Sequence, residues 1–414
     1  MRKLIALMLM TAMILGISAC TASHASDGVT LNIMHDKTGA PDFHPYFVQA
    51  GEDLNAATGL SLNPVGFPST DVYTAAIRSA LPGAGAPDLF TWWAAAWTQD
   101  LQRNDLLLPL TSIWDKYKDE FSQGVRDAYT IDGELYSLPW AADYWLLYYN
   151  KDVYTELGLK APDSWDEFIA NCEAIKNAGK TPLNQTIVDE WPAFITFEEI
   201  AASYGTDLYN DLCTGKKSWT DPEAVQIFAT WKEMIDKGYF TAPSVNYFSD
   251  VPRMFNDDQL VMIIGGTWFF KSNLLDNGVP ESKIGAFFIK GMDGKNRAIM
   301  EPSPILASKN GRNVEDTLKA IDYFMSAEGN TFLAKQTESF PVNGKSDASY
   351  LPPFKLAIQN EILEGDYALV TRFWENMPTE LMLQVNAKFQ EFILSPDPER
   401  ITAEIQALCD AYFN

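Results

Sequence analysis

Hydrophobic and polar positions along the chain follow two periods, one typical of strands and one typical of helices. Residues 29–34 alternate apolar and polar side chains, and residues 60–65 predict a second short strand. A helix is expected across the forties and fifties, ending near Gly59, and another over 72–81. Because strands that alternate with helices form parallel βαβ units, the predicted fold class is α/β.

The segment from 132 to 183 carries the most local information. It predicts a turn at Asp132, a strand over 135–139 and a second strand over 146–149. Between the two strands, four aromatic or acidic residues crowd into six positions: Trp140, Asp143, Tyr144 and Trp145. Bulky rings and a carboxylate at a change of element are typical of a ligand site.

The same segment continues into a helix with a capping box. Ser164 is placed to accept a hydrogen bond from the amide three residues later, while Glu167 reaches back to the cap residue. Phe168, Cys172 and Ile175 then repeat with the spacing of a helix packed on one face. A short helix that packs on this face is therefore expected here.

The rest of the chain continues the α/β pattern. Apolar runs predict three more strands, over 260–266, 283–289 and 299–307. Helical periods begin near Pro222, Val314 and Pro398, and Pro222 and Pro398 suit the first turn of a helix. We detect no internal repeat and no low-complexity segment.

Two motifs around the first crossing resemble a known family. Gly133, Tyr136, Leu138 and Pro139 fit a G-x-x-Y-x-L-P strand, and residues 148–152 read Y-Y-N-K-D. Both motifs resemble the hinge-crossing segment of extracellular solute-binding proteins of the maltose-binding type, which deliver carbohydrates to ABC importers. The resemblance extends over most of the chain, including the strand at 86–93 and the element at 260–268.

This resemblance implies a periplasmic-binding-protein type II fold, in which two lobes are joined by a hinge. Each lobe would hold a mixed sheet flanked by helices. The length agrees, because roughly 390 residues after the leader exceed what one core supports. The expected lobes are discontinuous: an N-lobe of 29–142 plus 302–341, and a C-lobe of 143–301 plus 342–414.

The start of the chain predicts export. A basic start leads into an apolar run over 4–17, which is too short to span a bilayer comfortably. Residues 17–20 resemble a bacterial lipobox, which implies cleavage before Cys20 and diacylation of its thiol. The alternative is an ordinary secretory peptide cut near Ala25. We expect a lipid anchor on the outer face of a Gram-positive type cell membrane, with 21–28 as a polar tether.

Charge and the spacing of cysteines and histidines argue against nucleic-acid binding and against a metal or redox site. A net charge of −24 repels nucleic acid and argues against anionic polymers as ligands. The three cysteines after Cys20 have no zinc or redox spacing, and they are compatible with a Cys172–Cys213 disulfide or with buried free thiols. The three histidines do not suggest a metal cluster, so we expect no metal and no cofactor.

Sugar chemistry selects the candidate ligand residues. Aromatic rings cover the apolar C–H face of a sugar, and carboxylates bind its hydroxyl groups. A cleft between two lobes can bury most of the sugar surface. The chain has 12 tryptophans. The resemblance assigns stacking or hydroxyl-binding roles to Trp92, Asp143, Trp268 and Trp374, and it puts Trp191 in a second-lobe loop beside the ligand. A core or surface role is the alternative for each.

Five further residues complete the candidate set. His35 and Asp36 follow the first strand, whose carboxyl end is expected to open on the cleft. Glu301 follows the strand that returns to the first lobe and offers a carboxylate for hydroxyl groups. Tyr144 and Arg372 lie next to stronger candidates.

The resemblance therefore predicts the binding component of an ABC importer. It would capture a carbohydrate, and an oligosaccharide rather than a monosaccharide, by closing its hinge. As a monomer without catalytic activity, it would deliver the ligand to membrane permease subunits. Two alternatives stay open: a secreted glycoside hydrolase with Asp143 and Glu301 as its carboxyl pair, and a carbohydrate-binding lipoprotein without a transport role.

Overall fold

A computed structural model describes residues 28–36, 44–68, 70–188 and 191–413 of the chain. The predicted leader, Cys20 and the tether before residue 28 lie outside the described residues. No helix in the described ranges is long and apolar enough to cross a bilayer.

Ten strands are formed within these ranges. They are β1 Thr30–His35, β2 Ser61–Gly66, β3 Leu89–Thr91, β4 Thr130–Ile131, β5 Glu134–Leu135, β6 Ser137–Asn150, β7 Met262–Gly266, β8 Ile284–Phe287, β9 Arg297–Ala307 and β10 Ala368–Thr371. β4 and β5 form a small hairpin around the predicted turn, where Asp132 and Gly133 both take left-handed backbone angles.

The other eight strands form one mixed sheet in the order β2-β1-β3-β9-β6-β7, with β10 beside β9 and β8 beside β6. β1 is parallel to β2 and β3, whereas β9 is antiparallel to β3 and β6. β6 and β9 are the long strands. The first part of β6 pairs with β9, and its last part pairs with β7 and β8, so β6 joins the two ends of the sheet.

Helices cover this sheet, and most sit between consecutive strands. The first half contains α1 His44–Thr58, α2 Thr70–Ala80, α3 Ala96–Arg103, α4 Thr111–Tyr117, α5 Gln123–Tyr129, α6 Lys151–Leu157 and α7 Trp165–Asn177. The second half contains α8 Phe194–Tyr204, α9 Thr206–Cys213, α10 Pro222–Asp236, α11 Asp250–Asn256, α12 Val314–Met325, α13 Ala327–Thr337, α14 Pro353–Glu364, α15 Phe373–Asn376, α16 Thr379–Leu394 and α17 Pro398–Phe413.

The structure confirms the α/β class and most predicted elements, and it corrects one. The two strands expected over 135–139 and 146–149 are a single strand of 14 residues, β6. The pairing of β6 with β9 shifts register between Pro139 and Ala141, and the pairing with β7 begins at Trp145. The aromatic segment that we expected between two strands therefore lies inside one strand, held on both sides by neighbours.

The capping box at α7 forms with one difference. Ser164 Oγ accepts from the amide of Glu167 at 3.2 Å, as expected. The carboxylate of Glu167 accepts from the amide of Asp163 at 2.8 Å, one residue before the predicted donor.

The cysteines are free thiols. Cys172, Cys213 and Cys409 are all buried, and Cys172 and Cys213 do not form the disulfide that the sequence left open.

Asn330 on α13 ties two distant segments together. Its fully buried amide group donates to the carbonyls of Pro139 and Trp140 on β6, at 3.1 and 3.2 Å. Its side-chain oxygen accepts from the amides of Val342 and Asn343, at 3.0 and 3.1 Å. One side chain thus pairs with four backbone groups.

Replacing Asn330 with alanine should destabilise the fold strongly. The change leaves buried donors and acceptors unpaired, and each costs about 1–3 kcal/mol. We expect the free energy of unfolding to fall by about 3 kcal/mol or more, measured by urea denaturation. The control is Asn177→Ala, which removes an exposed contact to Glu173 and should change stability by less than about 0.5 kcal/mol. Equal effects of the two variants would contradict this account of Asn330.

Candidate functional site

Glu301 is the centre of a polar and aromatic cluster on the long strands. It lies on β9, directly opposite Asp143 on β6. Its Oε2 atom accepts from the indole N–H groups of Trp145 and Trp268, each at 3.0 Å, and from the Arg372 guanidinium at 2.8 Å. We use the name Glu301 cluster for five residues: Trp145, Trp191, Trp268, Glu301 and Arg372.

The three indole rings of this cluster pack against one another beside the carboxylate. The Trp191 ring lies 6.1 Å from that of Trp145 and 6.4 Å from that of Trp268, in edge-to-face arrangements. The Arg372 guanidinium lies 5.8 Å from the Trp145 ring, a cation–π distance. Trp191 and Trp268 are half-buried, and the Glu301 side chain is 21% exposed. Two ring systems and one carboxylate of the cluster are therefore partly open to solvent.

Buried charges hold Arg372 in place behind Glu301. Its other nitrogens contact both oxygens of Glu375, at 2.8 and 2.5 Å, in a bidentate pair. Burial by itself would lower the pKa of Arg372, but the attraction of Glu301 and Glu375 outweighs it and raises that pKa. The guanidinium is therefore a permanent cation that fixes the position of the Glu301 carboxylate.

A second group of tryptophans joins helices α3 and α15. The indole N–H of Trp97 donates to the carbonyl of Trp374 at 2.9 Å, and the two rings are stacked with centroids 6.1 Å apart. The indole of Trp92 donates to the carbonyl of Trp97 at 3.2 Å, and the Trp93 ring lies 4.6 Å from that of Trp97. We use the name Trp97 stack for Trp92, Trp93, Trp97 and Trp374.

Phe194 connects these two aromatic groups. Its ring lies 6.0 Å from that of Trp191 and 6.1 Å from that of Trp374. A row of aromatic rings therefore runs from Trp268 in the Glu301 cluster to Trp92 in the Trp97 stack. Phe194 itself is fully buried, whereas Trp191, Trp268 and Trp374 are half-buried, so these three tryptophans are the candidates for ligand contact.

Asp143 and Tyr144 lie just inside this surface. Asp143 is 6% exposed, and its carboxylate accepts from Thr267 at 2.6 Å and from Ser339 at 3.5 Å. Burial raises its pKa to about 6, although the charge of Lys355 acts in the opposite direction. The Tyr144 ring is buried against Phe340. Asp143 therefore connects β6 to the segment after α13.

His35 and Asp36 lie at the carboxyl end of β1, as predicted. The His35 ring is fully buried, stacks on Phe47 with centroids 4.6 Å apart, and has its Nε2 3.0 Å from Nδ1 of His44. Asp36 is half-buried and accepts a hydrogen bond from Thr91 at 3.4 Å. This pair lies beside β3 because β1 and β3 are adjacent and parallel.

The structure brings half of the predicted ligand residues into one row, and the other half lies beside or beneath it. The row holds Trp191, Trp268, Glu301, Arg372 and Trp374. Deeper or at its end lie Trp92, Asp143, Tyr144, His35 and Asp36. The contribution of each to ligand binding stays a prediction. Two central residues were not among the candidates: Trp145, although it belongs to the aromatic crowd at 140–145, and Trp97, for which no local pattern gave a signal.

A groove of about 600 Å³ lies beside helices α3 and α15, which carry Trp97 and Trp374. It is lined by Ala96 and Gln99 of α3, by Asn376 of α15 and by the exposed rings of Tyr412 and Phe413 on α17. We place the candidate ligand site at the Glu301 cluster rather than here, because the groove lacks an oriented acceptor between tryptophan rings. Its charges include a salt bridge between Arg78 and Asp100, at 2.8 Å.

The buried carboxyl group of Asp143 should make stability depend on pH. Because its pKa in the folded protein is raised to about 6 from the ordinary 3.8, the folded state keeps a proton that the unfolded chain has lost. Its contribution to stability is complete below about pH 4 and is lost as the pH rises through about 6. We expect the free energy of unfolding to fall more steeply from pH 4 to 7 in the wild type than in Asp143→Asn. Parallel curves would contradict the raised pKa.

The hydrogen bond between Trp97 and Trp374 should contribute to stability. The Trp97→Phe variant keeps an aromatic ring but leaves the Trp374 carbonyl without its donor. We expect a loss of about 1 kcal/mol in the free energy of unfolding, measured by urea denaturation. Trp93→Phe is the matched control, because Trp93 is half-buried and its indole donates no hydrogen bond to the described part of the chain. A smaller loss in Trp97→Phe than in this control would contradict the role of the hydrogen bond.

Comparison with known proteins agrees with this architecture. The family described as bacterial extracellular solute-binding protein matches residues 49–357. A putative binding protein of Brucella abortus (strain 2308) is 26% identical over 378 residues, which cover 89% of each chain. An arabinooligosaccharide-binding protein of Halalkalibacterium halodurans is 21% identical over 249 residues, which cover 56% of this chain and 55% of the relative.

Solved structures support the two-lobed fold. The solute receptor AcbH, described as having an exclusive preference for β-D-galactopyranose, superposes with a TM-score of 0.81 at 20% identity, over 93% of this chain and 98% of AcbH. A chitin oligosaccharide binding protein superposes with a TM-score of 0.77 at 21% identity, over 93% and 99% of the two chains. With the family match over most of its length, the chain belongs to the bacterial extracellular solute-binding proteins.

Proposed function

We propose that this protein is the carbohydrate-binding component of an ABC importer. It captures an oligosaccharide between its lobes and presents it to the permease subunits in the membrane. The family and relatives named for oligosaccharide binding support this proposal. The family consists of solute-binding proteins, and we propose accordingly that the protein releases its ligand unchanged.

One observation carries the carbohydrate assignment. In the Glu301 cluster, a partly buried carboxylate accepts from the indoles of Trp145 and Trp268, and the Trp191 ring packs against both of those rings. Trp374 lies further along the same row. A carboxylate oxygen accepts from sugar hydroxyl groups, while tryptophan faces cover the apolar C–H side of a sugar ring. This pairing of an acceptor with flat apolar surfaces suits an uncharged polar ligand.

The proposed mechanism is closure of two lobes around the ligand. We assign the N-lobe to 29–142 plus 302–341 and the C-lobe to 143–301 plus 342–414, so that β6 and β9 run through the hinge. A ligand that contacts both lobes shifts the population toward the closed form. Each hydrogen bond to the carboxylate contributes about 1.5–3 kcal/mol and each stacked ring about 1 kcal/mol, consistent with a Kd of about 1 μM after the costs of association.

Anchoring and assembly complete the proposal. We propose that the mature chain starts at Cys20, carries lipid on that cysteine and acts as a monomer on the outer face of the cell membrane. Lipid on the cysteine keeps the protein near its permease where no outer membrane retains it. Mass spectrometry of the N-terminal peptide from the native membrane tests the lipidation, and cleavage after Ala25 would contradict it.

A titration tests the proposed function directly. Residues 27–414 are titrated with plant, host-glycan and starch oligosaccharides while tryptophan fluorescence is recorded, and each mixture is checked for products. We expect a saturable change with micromolar affinity for one ligand class and no product. The absence of binding across the panel would contradict carbohydrate binding, and product formation would favour a hydrolase.

Removing the Trp268 ring should weaken ligand binding. The Trp268→Ala variant loses a stacking surface that contributes about 1 kcal/mol beyond the apolar area it covers, so we expect the Kd to rise at least about fivefold. Isothermal titration with the ligand found above measures the change. The control is Trp165→Ala, because Trp165 is also half-buried but packs on Phe168 of α7. Unchanged binding in a folded Trp268→Ala protein would contradict the stacking role.

A further inference from the structure

The two oxygens of Glu301 have different surroundings. Oε2 accepts from Trp145, Trp268 and Arg372, at 3.0, 3.0 and 2.8 Å. With three donors, Oε2 has no lone pair left for a further hydrogen bond. Oε1 accepts no hydrogen bond from the residues that the structure describes, and the side chain is 21% exposed. The free acceptor of the cluster is therefore a single, oriented carboxylate oxygen.

The positive charge next to Glu301 is already neutralised. Arg372 is 6% exposed, and each of its three guanidinium nitrogens contacts a carboxylate: one oxygen of Glu301 or one of the two oxygens of Glu375. These three residues together carry one cation and two carboxyl groups. A negatively charged ligand near Glu301 is therefore repelled by its carboxylate, while the Arg372 guanidinium is already paired with Glu301 and Glu375.

A second carboxyl group lies across the strand pair. Asp143 is the direct partner of Glu301 in the β6–β9 register, so the two side chains emerge on the same face of the sheet. The nearby Lys355 is buried, and its ammonium group donates to the carbonyl of Glu338 at 2.8 Å. The described charges around Oε1 are therefore dominated by acids.

We propose that Glu301 makes this site selective for uncharged sugar units and excludes uronic acids at the position it contacts. The inference rests on the proposed function and adds the chemical class of the ligand. A sugar hydroxyl donates to Oε1, whereas a ligand carboxylate offers no proton there and places two anions in contact inside a partly dehydrated site. Specificity then comes from repulsion of the wrong ligand as well as attraction of the right one.

The discriminating experiment compares matched ligands. Neutral oligosaccharides of cellulose, starch and galactan type are titrated beside the same chains oxidised to uronic acids at C6, at fixed pH 7.5 and fixed ionic strength. We expect the oxidised chain to bind at least about 100-fold more weakly than the neutral chain. Comparable affinities for a neutral chain and its oxidised counterpart would overturn the inference while leaving the proposed function intact. Failure of every chain to bind would overturn the proposed function, and the inference with it.

A variant tests whether Glu301 is the source of the selectivity. Glu301→Gln keeps an acceptor and the size of the side chain but removes the charge. We expect the neutral ligand to bind up to about tenfold more weakly and the preference over the uronic acid to shrink by at least about tenfold. A folded Glu301→Gln protein that retains the full preference would overturn the role of Glu301. Exposed Glu134→Gln is the control for net charge, since Glu134 lies in the β4–β5 hairpin away from the cluster. If Glu301→Gln fails to fold, the wild-type comparison still decides the selectivity.

Discussion

A buried arginine needs carboxylates, and that requirement organises the centre of this protein. Arg372 has lost nearly all contact with water, so its charge is stable only beside Glu375 and Glu301. The same Glu301 oxygen accepts the indole N–H groups of Trp145 and Trp268, which also need an acceptor when buried. Glu301 Oε2 therefore links three features of the structure: the position of α15, the pairing of β6 with β9 and the orientation of two tryptophans.

These contacts lie on β6 and β9, the two long strands that join the two parts of the sheet. β6 and β9 carry Asp143 and Glu301 side by side, and Asn330 holds β6 to the segment that begins after α13. The Trp97 stack adds a contact between helices that are far apart in sequence. A ligand that touches both aromatic groups would contact several of these linked elements at once, which is consistent with the closure proposed above.

Local patterns in the sequence predicted the elements well where each has an exposed and a buried face. β1, α7 and α12 fall close to their predicted positions because their apolar residues repeat with the period of the element. α8 was not predicted, since ten of its eleven residues are buried and its sequence therefore shows no amphipathic period. The continuity of β6 was also missed, because its neighbours β7, β8 and β9 lie more than 100 residues later.

In the candidate site, too, residues in local patterns could be predicted, and residues that depend on distant partners could not. Trp268 and Arg372 lie just after β7 and β10, at strand ends as the sequence suggested. Glu301 was expected to follow a strand but lies inside β9, because that strand starts at Arg297. Trp145 and Trp97 acquire their roles from partners 156 and 277 residues away, and no local pattern encodes such contacts. Which oxygen of Glu301 is free also depends on three distant donors, so the chemistry of the site follows from the fold and not from a motif.

The most direct test of the account is a crystal structure with a bound oligosaccharide, soaked or co-crystallised with the ligand identified by titration. The account predicts a sugar ring against Trp268 and a sugar hydroxyl group within hydrogen-bond distance of Glu301 Oε1, with Oε2 still held by Arg372. A ligand bound instead in the groove beside Tyr412 and Phe413, with the Glu301 cluster untouched, would contradict it.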